Sequence, residues 1–321
     1  MRPASAILAA VAVLAIPSSS YAFCRTTTAN VPANLQPSGN DCYPAGTDGW
    51  MLYWANRCVG WSMQNTPSSK VDIAAATQVV GQAFATWANA DCGSGAKPSI
   101  AFTNNGTAAC TTVGYNDKGA NQHVISFRDS AWPYAGQSNA TLALTTLTYD
   151  KRTGEIRDAD MEVNTAEMKI STAATPAANA YDLLSIVTHE AGHFIGLAHA
   201  VSSTATMFAR YSPGQTSIRV LSDDDKAGVC EVYRSNGARS VSETASSSGL
   251  LDGAACDPLP FGGFSSLCNA GSTTGNAASA STGTTRRCSF APAPQGGNGE
   301  RDGFIAAAFA MAAVVLRRRR P

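Results

Sequence analysis

The feature that most constrains this chain is the segment 189–199, which reads His-Glu-Ala-Gly-His-Phe-Ile-Gly-Leu-Ala-His. Residues four apart on a helix share one face, so His189 and His193 can direct two imidazole rings at one point. Gly196 can adopt a positive φ, which would end the helix and turn the chain back, so that His199 supplies a third nitrogen. Three of the four histidines of the chain lie here. The segment therefore predicts a three-histidine metal site.

Zinc is the metal that suits three imidazole nitrogens, because tetrahedral coordination then leaves a fourth position for water. Such an open position is typical of catalytic zinc rather than structural zinc. Glu190 directly follows the first histidine, and its carboxylate can take a proton from zinc-bound water as that water attacks a carbonyl carbon. We therefore predict that His189, His193 and His199 bind Zn²⁺ and that Glu190 is the general base.

The first 22 residues are typical of a secretory signal peptide. Arg2 places a positive charge near the N-terminus, residues 4–16 form an apolar run, and a small-x-small cleavage site precedes Phe23. Cys24 permits a lipoprotein as the alternative, although Phe23 stands where a lipobox has Gly or Ala. Charged residues make up 14% of the chain and the net charge is zero. No basic patch is visible, so nucleic acid is not expected as a partner.

Nine cysteines are present, and in an exported protein they are expected to be oxidised. Eight of them can form four disulfides, whose connectivity the sequence leaves open. We predict local disulfides Cys92–Cys110 and Cys256–Cys268, because each would close a short loop. Cys288 would then remain without a partner among the eight. Zinc–thiolate binding is the competing interpretation, which the lack of any Cys-x-x-Cys pair disfavours.

Hydrophobic periodicity predicts a domain with both helices and strands. Strands are predicted over 58–63, 99–103, 123–127, 141–149 and 155–163, and helices over 71–90 and 182–195. Asp182 is placed to cap the second helix and Gly196 to end it, while Trp87 of the first helix is expected in the core.

Composition divides the chain into four parts. Residues 235–287 are rich in Ser, Gly, Ala and Thr, which predicts a flexible stalk with one small knot at Cys256–Cys268. The predicted organisation is a signal peptide over 1–22, a catalytic domain with a disulfide-tied N-terminal segment over 23–234, the stalk over 235–287, and a sorting or anchor segment over 288–321.

The segment 189–199 resembles the metzincin signature H-E-x-x-H-x-x-G-x-x-H, which is followed by a Met-turn. Residues 205–211, Ala-Thr-Met-Phe-Ala-Arg-Tyr, are similar to the Met-turn region of matrixins within that group. Residues 83–87 also resemble the first matrixin helix. The residues that fall on the spacing of the family's closing helix are Leu221, Asp224, Asp225, Gly228, Val229, Val232 and Tyr233.

The resemblance implies an α+β, metzincin-like zinc protease fold, in which a twisted mixed sheet lies over the active-site helix and a smaller subdomain carries the Met-turn. Met207 would be a hydrophobic floor below the zinc, and Tyr211 would line the pocket for the substrate side chain after the scissile bond. Residues 141–145 would form an edge strand that pairs with an extended substrate, the alternative being sheet core. The residues of this strand assigned to substrate binding are Leu142, Ala143 and Leu144.

Several positions depart from the matrixin pattern. No Pro-Arg-Cys-Gly latency motif is present, and only His123 remains for the second, structural zinc of that family. We therefore expect that site to be absent and His123 to be a structural or surface histidine rather than a ligand. Asp158, Asp160 and Glu162 could bind Ca²⁺, which prefers clustered carboxylates, but we favour a solvated strand face. Residues 223–225 are expected to cap a helix and contact the Met-turn.

The end of the chain has its own pattern. Cys288 precedes a Pro/Gly stretch, an apolar run over 304–316 and the arginines 317–320, which resembles the MYXO-CTERM sorting domain. The resemblance implies engagement with the membrane, processing near Cys288 and display at the cell surface. An uncleaved anchor is the alternative, although the run would be only about 20 Å long as a helix.

These observations favour a secreted, surface-displayed zinc metalloendopeptidase that acts on extracellular proteins or peptides. The alternative from another class is a non-catalytic surface-binding module that retains a zinc metzincin-like fold. Glu190 discriminates between them, because zinc binding requires only the histidines whereas hydrolysis requires the carboxylate.

Overall fold

The computed structural model describes residues 23–29, 42, 49–110, 112–134, 141–241, 250–267 and 284–292. The predicted signal peptide over 1–22 lies outside the described residues. The same holds for the predicted sorting segment over 288–321, apart from residues 288–292. Within these ranges no helix is both long enough and apolar enough to cross a membrane.

Each α-helix in the described part of the chain begins after a residue whose side chain caps it. The helices are α1 (Ile73–Ala88), α2 (Leu183–Phe194), a short 3₁₀ turn (Ser217–Arg219) and α3 (Asp223–Val232). Asp72 and Asp182 each accept a backbone N–H from the first turn of the helix that follows, α1 and α2 respectively. Ser222 and Asp225 form a reciprocal capping box at the start of α3. The two helices predicted from periodicity and the cap at Asp182 are confirmed.

The sheet is mixed, as the predicted fold class requires. The strands are β1 (Cys58–Gln64), β2 (Ala101–Ala108), β3 (Val124–Phe127), β4 (Ala143–Tyr149), β5 (Ile156–Val163), β6 (Ile170–Ser171), β7 (Tyr181–Asp182), β8 (Arg210–Tyr211), β9 (Ala238–Ser240), β10 (Leu250–Asp252) and β11 (Thr284–Pro292). Seven of them form one sheet in the order β2-β1-β3-β5-β4-β11-β8. Parallel pairs join β2 to β1, β1 to β3 and β3 to β5, and β4 runs antiparallel to β5.

The core joins α1 to α2, so that the second helix is held in place along its length. Trp87 is fully buried, as predicted, and its indole Nε1 donates to the carbonyl oxygen of Thr188 at 2.7 Å. Phe84 of α1 packs edge-on against Phe194 at the end of α2, with ring centroids 5.0 Å apart. The helix that carries the histidine motif is therefore fixed by aromatic contacts as well as by its own hydrogen bonds.

The disulfides connect distant parts of the chain, and both predicted local pairs, Cys92–Cys110 and Cys256–Cys268, are wrong. The bonds between described cysteines are Cys24–Cys42, Cys58–Cys256 and Cys92–Cys230, and Cys110 is disulfide-bonded too. Helix and sheet packing brings cysteines 138 and 198 residues apart in sequence to Cα separations of 5.5 and 4.7 Å. Sequence proximity was therefore a poor guide to spatial proximity.

Parts of the predicted flexible stalk over 235–287 are packed on the domain. The strands β9 and β10 pair with each other, and Cys256 is bonded to Cys58 of β1. Arg239 is completely buried, where its guanidinium donates to the carbonyl oxygen of Trp54 at 2.8 Å and to the hydroxyl of Ser99 at 2.7 Å. A buried arginine with several acceptors fixes its strand firmly.

The acidic residues of β5 are buried, so the predicted solvated strand face is wrong. Asp158, Asp160 and Glu162 are 1%, 1% and 0% exposed. Glu162 pairs with Arg128, and Asp158 lies 3.7 Å from Nε2 of the buried His123. Where the structure describes side chains, the histidine triad is the one group of three arranged to hold a metal, so calcium binding by β5 gains no support.

Asp160 makes stability depend on pH. Burial raises its pKa from 3.8 to about 7, and the backbone N–H groups of Val124 and Gly114 oppose this rise. The folded protein therefore retains a proton between pH 4 and 7 that the unfolded chain has released, so this contribution to stability is lost as pH rises.

We expect the free energy of unfolding of Asp160→Asn, measured relative to that of the wild type, to rise by roughly 1–3 kcal/mol from pH 5 to pH 8. The reason is that asparagine cannot ionise, whereas Asp160 loses its proton in this range. Urea unfolding of both proteins at the two pH values measures the difference. Asp223→Asn is the control, because that side chain is 89% exposed. A stability difference that does not change with pH would contradict the expectation.

Candidate metal centre

The turn after α2 positions the third histidine, and it requires a glycine. Gly196 has φ of 90°, and a Cβ there would lie 2.6 Å from the carbonyl oxygen of Leu52. The N–H of Gly196 donates to the carbonyl oxygen of His193, and the N–H of Leu197 to that of Gly192, both at 2.9 Å. These two bonds form a Schellman motif, and the turn predicted at Gly196 is confirmed.

The three histidines converge at one point in the interior. The ligand atoms of His189, His193 and His199 lie within 4.8 Å of one another, and the residues are 0%, 0% and 4% exposed. Burial, together with the other two histidines, holds the pKa of His189 well below its usual value. The imidazole is therefore neutral at physiological pH, which is the form that binds metal.

Backbone carbonyl groups determine which imidazole nitrogen can bind metal. Nδ1 of His189 lies 2.6 Å from the carbonyl oxygen of Thr206, and Nδ1 of His193 lies 2.9 Å from that of Leu197. A carbonyl only accepts, so each Nδ1 carries the proton and each Nε2 presents a lone pair. The two Nε2 atoms are 3.1 Å apart, a distance at which two lone pairs repel unless a cation lies between them. The donor set therefore fits tetrahedral zinc.

Glu190 follows His189 in α2, and its side chain is held by a contact that the sequence did not predict. Glu190 is fully buried, and its Oε2 accepts a hydrogen bond of 2.5 Å from the hydroxyl of Thr145 in β4. The signal in the sequence was a group of three threonines, Thr145, Thr146 and Thr148, in a strand whose other residues are apolar or aromatic. Thr145 therefore orients the carboxylate from the sheet side.

The Met-turn is anchored to α3 by one carboxylate. Asp225 accepts the backbone N–H groups of Thr206 at 2.7 Å and Met207 at 3.0 Å, which confirms the predicted contact with the Met-turn. Met207 is buried, and it packs so closely below α2 that a Cβ on Gly192 would collide with its sulfur. The structure thus places Met207 under the helix of the histidines, while its role as a floor for zinc stays a prediction.

A segment near the predicted mature N-terminus supports the turn between the second and third histidines. The carbonyl oxygen of Cys24 accepts the N–H of Ala198, and the N–H of Thr26 donates to the carbonyl oxygen of Gly196, both at 2.8 Å. The hydroxyl of Thr26 also donates to the carbonyl oxygen of Leu197 at 3.0 Å. Sequence reasoning missed this contact, because backbone pairing of this kind has no sequence pattern.

The strand predicted to be an open edge for substrate is paired on both sides. Leu142, Ala143 and Leu144 are buried, and β4 pairs with β5 on one side and with β11 on the other. The hydroxyl of Tyr211 lies 2.9 Å from that of Ser185 in α2, so the tyrosine is fixed to the active-site helix. The substrate-binding roles of these four residues stay predictions.

A helix that carries two histidines beneath a mixed sheet, with a third histidine beyond its terminal turn, is the arrangement of a zinc metalloprotease. The family model described as Matrixin matches residues 53–234, which is more than half of the 321-residue chain. The chain therefore belongs to the matrixin family, whose members are metalloendopeptidases. A search of the curated proteins finds no match.

The contact between Gly192 and Met207 leaves no room for a larger residue. We expect Gly192→Ala to lower the free energy of unfolding by about 1–3 kcal/mol, because the new methyl also lies 2.8 Å from Cζ2 of the rigid Trp87. Gly81→Ala in α1 is the matched control, since its methyl meets only Cζ2 of Trp61 at 3.9 Å. Urea denaturation measures both, and equal effects would refute the packing argument.

Asp225 should influence zinc affinity without touching the metal. We expect Asp225→Asn to weaken zinc binding about 10–100-fold, because the amide has one acceptor oxygen and cannot accept the N–H groups of both Thr206 and Met207 as the carboxylate does. The Met-turn would then hold the carbonyl of Thr206, which orients His189, less firmly. Competition with a chelating dye measures the affinity. The control is Asp223→Asn in the same helical turn, where the carboxylate is exposed and pairs with Lys226. An unchanged affinity for Asp225→Asn would show that the Met-turn does not orient the ligand.

Proposed function

We propose that this protein is a zinc-dependent endopeptidase that hydrolyses peptide bonds of extracellular proteins, with Glu190 as the general base. The observation that carries the proposal is a buried carboxylate on the helix of the first two histidines, one residue after His189, which accepts a hydrogen bond from Thr145. A module that only bound zinc would need the histidines and would gain nothing from a buried carboxylate, which is costly to desolvate.

The three histidines would hold the zinc, which lowers the pKa of a bound water and stabilises the negative charge that develops on the carbonyl oxygen. Glu190 accepts a proton from the attacking water and then delivers it to the amide nitrogen as the C–N bond breaks. The water oxygen, still bearing its other hydrogen, becomes part of the new carboxyl group. The hydroxyl of Thr145 donates to Oε2 and thereby keeps the carboxylate turned toward the site of attack.

Substrate binding would use the sheet and the segment after the Met-turn. Residues 142–144 enter and begin β4, the strand that also carries Thr145, so an extended peptide paired with this strand would pass beside Glu190. Tyr211 is held by Ser185 of α2 and is suited to form a pocket wall. Met207 would close the site from below. Recognition of this kind depends more on the peptide backbone than on its side chains.

Several disulfides support an oxidising compartment for the folded domain. Secretion through the signal peptide over 1–22 and display through residues 288–321 are proposals that rest on the sequence alone. Together they place the enzyme outside the cell, where the substrates would be extracellular proteins.

The test compares the full-length chain with Glu190→Ala on a peptide library, with cleavage read by mass spectrometry. We expect the variant to lose at least about 100-fold in kcat/KM, because it lacks the general base, while binding zinc as the wild type does. A zinc chelator should abolish cleavage by the wild type.

Glu167→Ala serves as the control, since this glutamate is exposed and lies outside the metal centre. It should cleave the library as the wild type does. If the wild type and Glu190→Ala are equally inert while both bind zinc, the surface-binding module becomes the better explanation.

A further inference from the structure

One strand from a distant part of the chain lies along the groove in which a peptide would bind. Residues 284–290 of β11 pair antiparallel with β4, from Thr284 opposite Tyr149 to Phe290 opposite Ala143. The last two residues of β11, Ala291 and Pro292, then run parallel to β8. The strand thus fills the space between β4 and the segment that carries Tyr211.

This strand also lies against the helix that carries the proposed general base. It contacts α2, which carries two of the histidines and Glu190. In register, Cys288 lies opposite Thr145, the residue of β4 whose hydroxyl holds the carboxylate of Glu190. The backbone of β11 therefore crosses the groove beside the residues that would carry out hydrolysis.

We propose that residues 284–292, here called the strap, occupy the peptide-binding groove as an internal strand and keep the protease latent until the strap is displaced. The proposal rests on the proposed proteolytic function. Its physical basis is exclusion, because one side of β4 has one row of N–H and C=O groups and can pair with one extended chain at a time. The strap has the same backbone chemistry as a substrate, so the two compete directly.

The tether makes this competition effective. The chain is attached to the domain just before the strap, since Phe264 bridges to Asn121 and Leu267 bridges to Ala109. Only residues 268–283 connect this attachment to the strap. A short connection of this kind gives an effective concentration on the order of millimolar, well above that of most substrates. Even weak pairing would therefore keep the groove largely closed.

Competition within the molecule has a kinetic signature that a structural role would not produce. Only the fraction of molecules with a displaced strap binds substrate, so the apparent KM rises by the inverse of that fraction. At saturating substrate every molecule is open, and kcat is unchanged. Damage to the fold would instead lower kcat or the amount of active enzyme.

The first experiment weakens the strap in the full-length chain with Arg286→Pro/Arg287→Pro. Consecutive residues of a strand direct their N–H groups to opposite sides, so the two prolines remove the hydrogen bond to β4 whichever residue provides it. We expect KM for a quenched fluorogenic peptide, chosen from those cut in the library, to fall at least tenfold while kcat stays within twofold. Ala277→Pro/Ala278→Pro, which lies outside the strap, is the control and should match the wild type.

A second measurement reports occupancy without requiring proteolysis. Hydrogen exchange is followed in β4 with Glu190→Ala as the background, so that no variant can cut itself. Those β4 amides that face the strap should exchange at least tenfold faster once the two prolines are present, while amides that face β5 stay protected. Zinc binding and the urea midpoint confirm that the variants are folded.

The strap should also act when supplied as a separate molecule. A synthetic peptide of residues 284–292 with Cys288→Ser should inhibit the proline variant competitively at millimolar concentration, and a scrambled peptide should not. The serine excludes inhibition by a thiol that binds zinc, so inhibition would support backbone pairing.

The outcomes separate the two ideas. Faster exchange in β4 with a lower KM supports the strap, whereas unchanged exchange or an unchanged KM in an active enzyme overturns it. If every variant is proteolytically inert but β4 loses protection, the strap does occupy the groove and the proteolytic function is what fails.

Discussion

The hydrogen bonds from the Nδ1 atoms of His189 and His193 to backbone carbonyl groups are the constraint on which the centre depends. They fix the tautomer of each ring, and so present both Nε2 lone pairs to one point at which a cation is needed. Their acceptors, Thr206 and Leu197, lie in separate loops, each held by other parts of the chain. Asp225 holds the first, so the geometry of the metal centre extends into α3.

The second loop depends on contacts from elsewhere in the chain. Gly196 turns it, Leu52 packs against it, and the backbone near Cys24 pairs with it. The segment around Cys24 and Thr26 therefore supports the turn between His193 and His199. The metal centre is assembled from parts that meet only in the folded chain, which suits an enzyme that should acquire activity only when fully folded.

The strand β4 combines two tasks in the proposed enzyme. One of its side chains, that of Thr145, orients the base, while its outer backbone edge is suited to pair with an extended peptide. The strap makes use of the same edge. Catalysis, substrate recognition and latency would then depend on one strand, and any ligand that displaced the strap would bind where the base is already in position. This arrangement requires no latency motif of the matrixin type, which the sequence lacks.

Local features could be predicted from the sequence alone, because they depend on residues close together in the chain. The histidine ligands follow from helical spacing and from one glycine, and the start of α2 follows from the capping residue Asp182. Two predictions that required knowledge of long-range packing were wrong. The cysteine pairs were assigned by short loops. The carboxylates of β5 were placed in solvent, although Arg128 pairs with Glu162 and the backbone N–H of Val124 donates to Asp160.

The sequence by itself thus indicated the family and predicted the metal ligands and the general base, since these predictions depend on residue type at short, fixed spacing. Only the tertiary structure decided what orients the base, what supports the turn at Gly196, and which strand lies against β4. Two of these contacts are made by the backbone, and all three join segments far apart in the chain. Backbone hydrogen bonds are available to almost every residue, so pairing of this kind has no sequence signature and becomes visible only when the chain is folded.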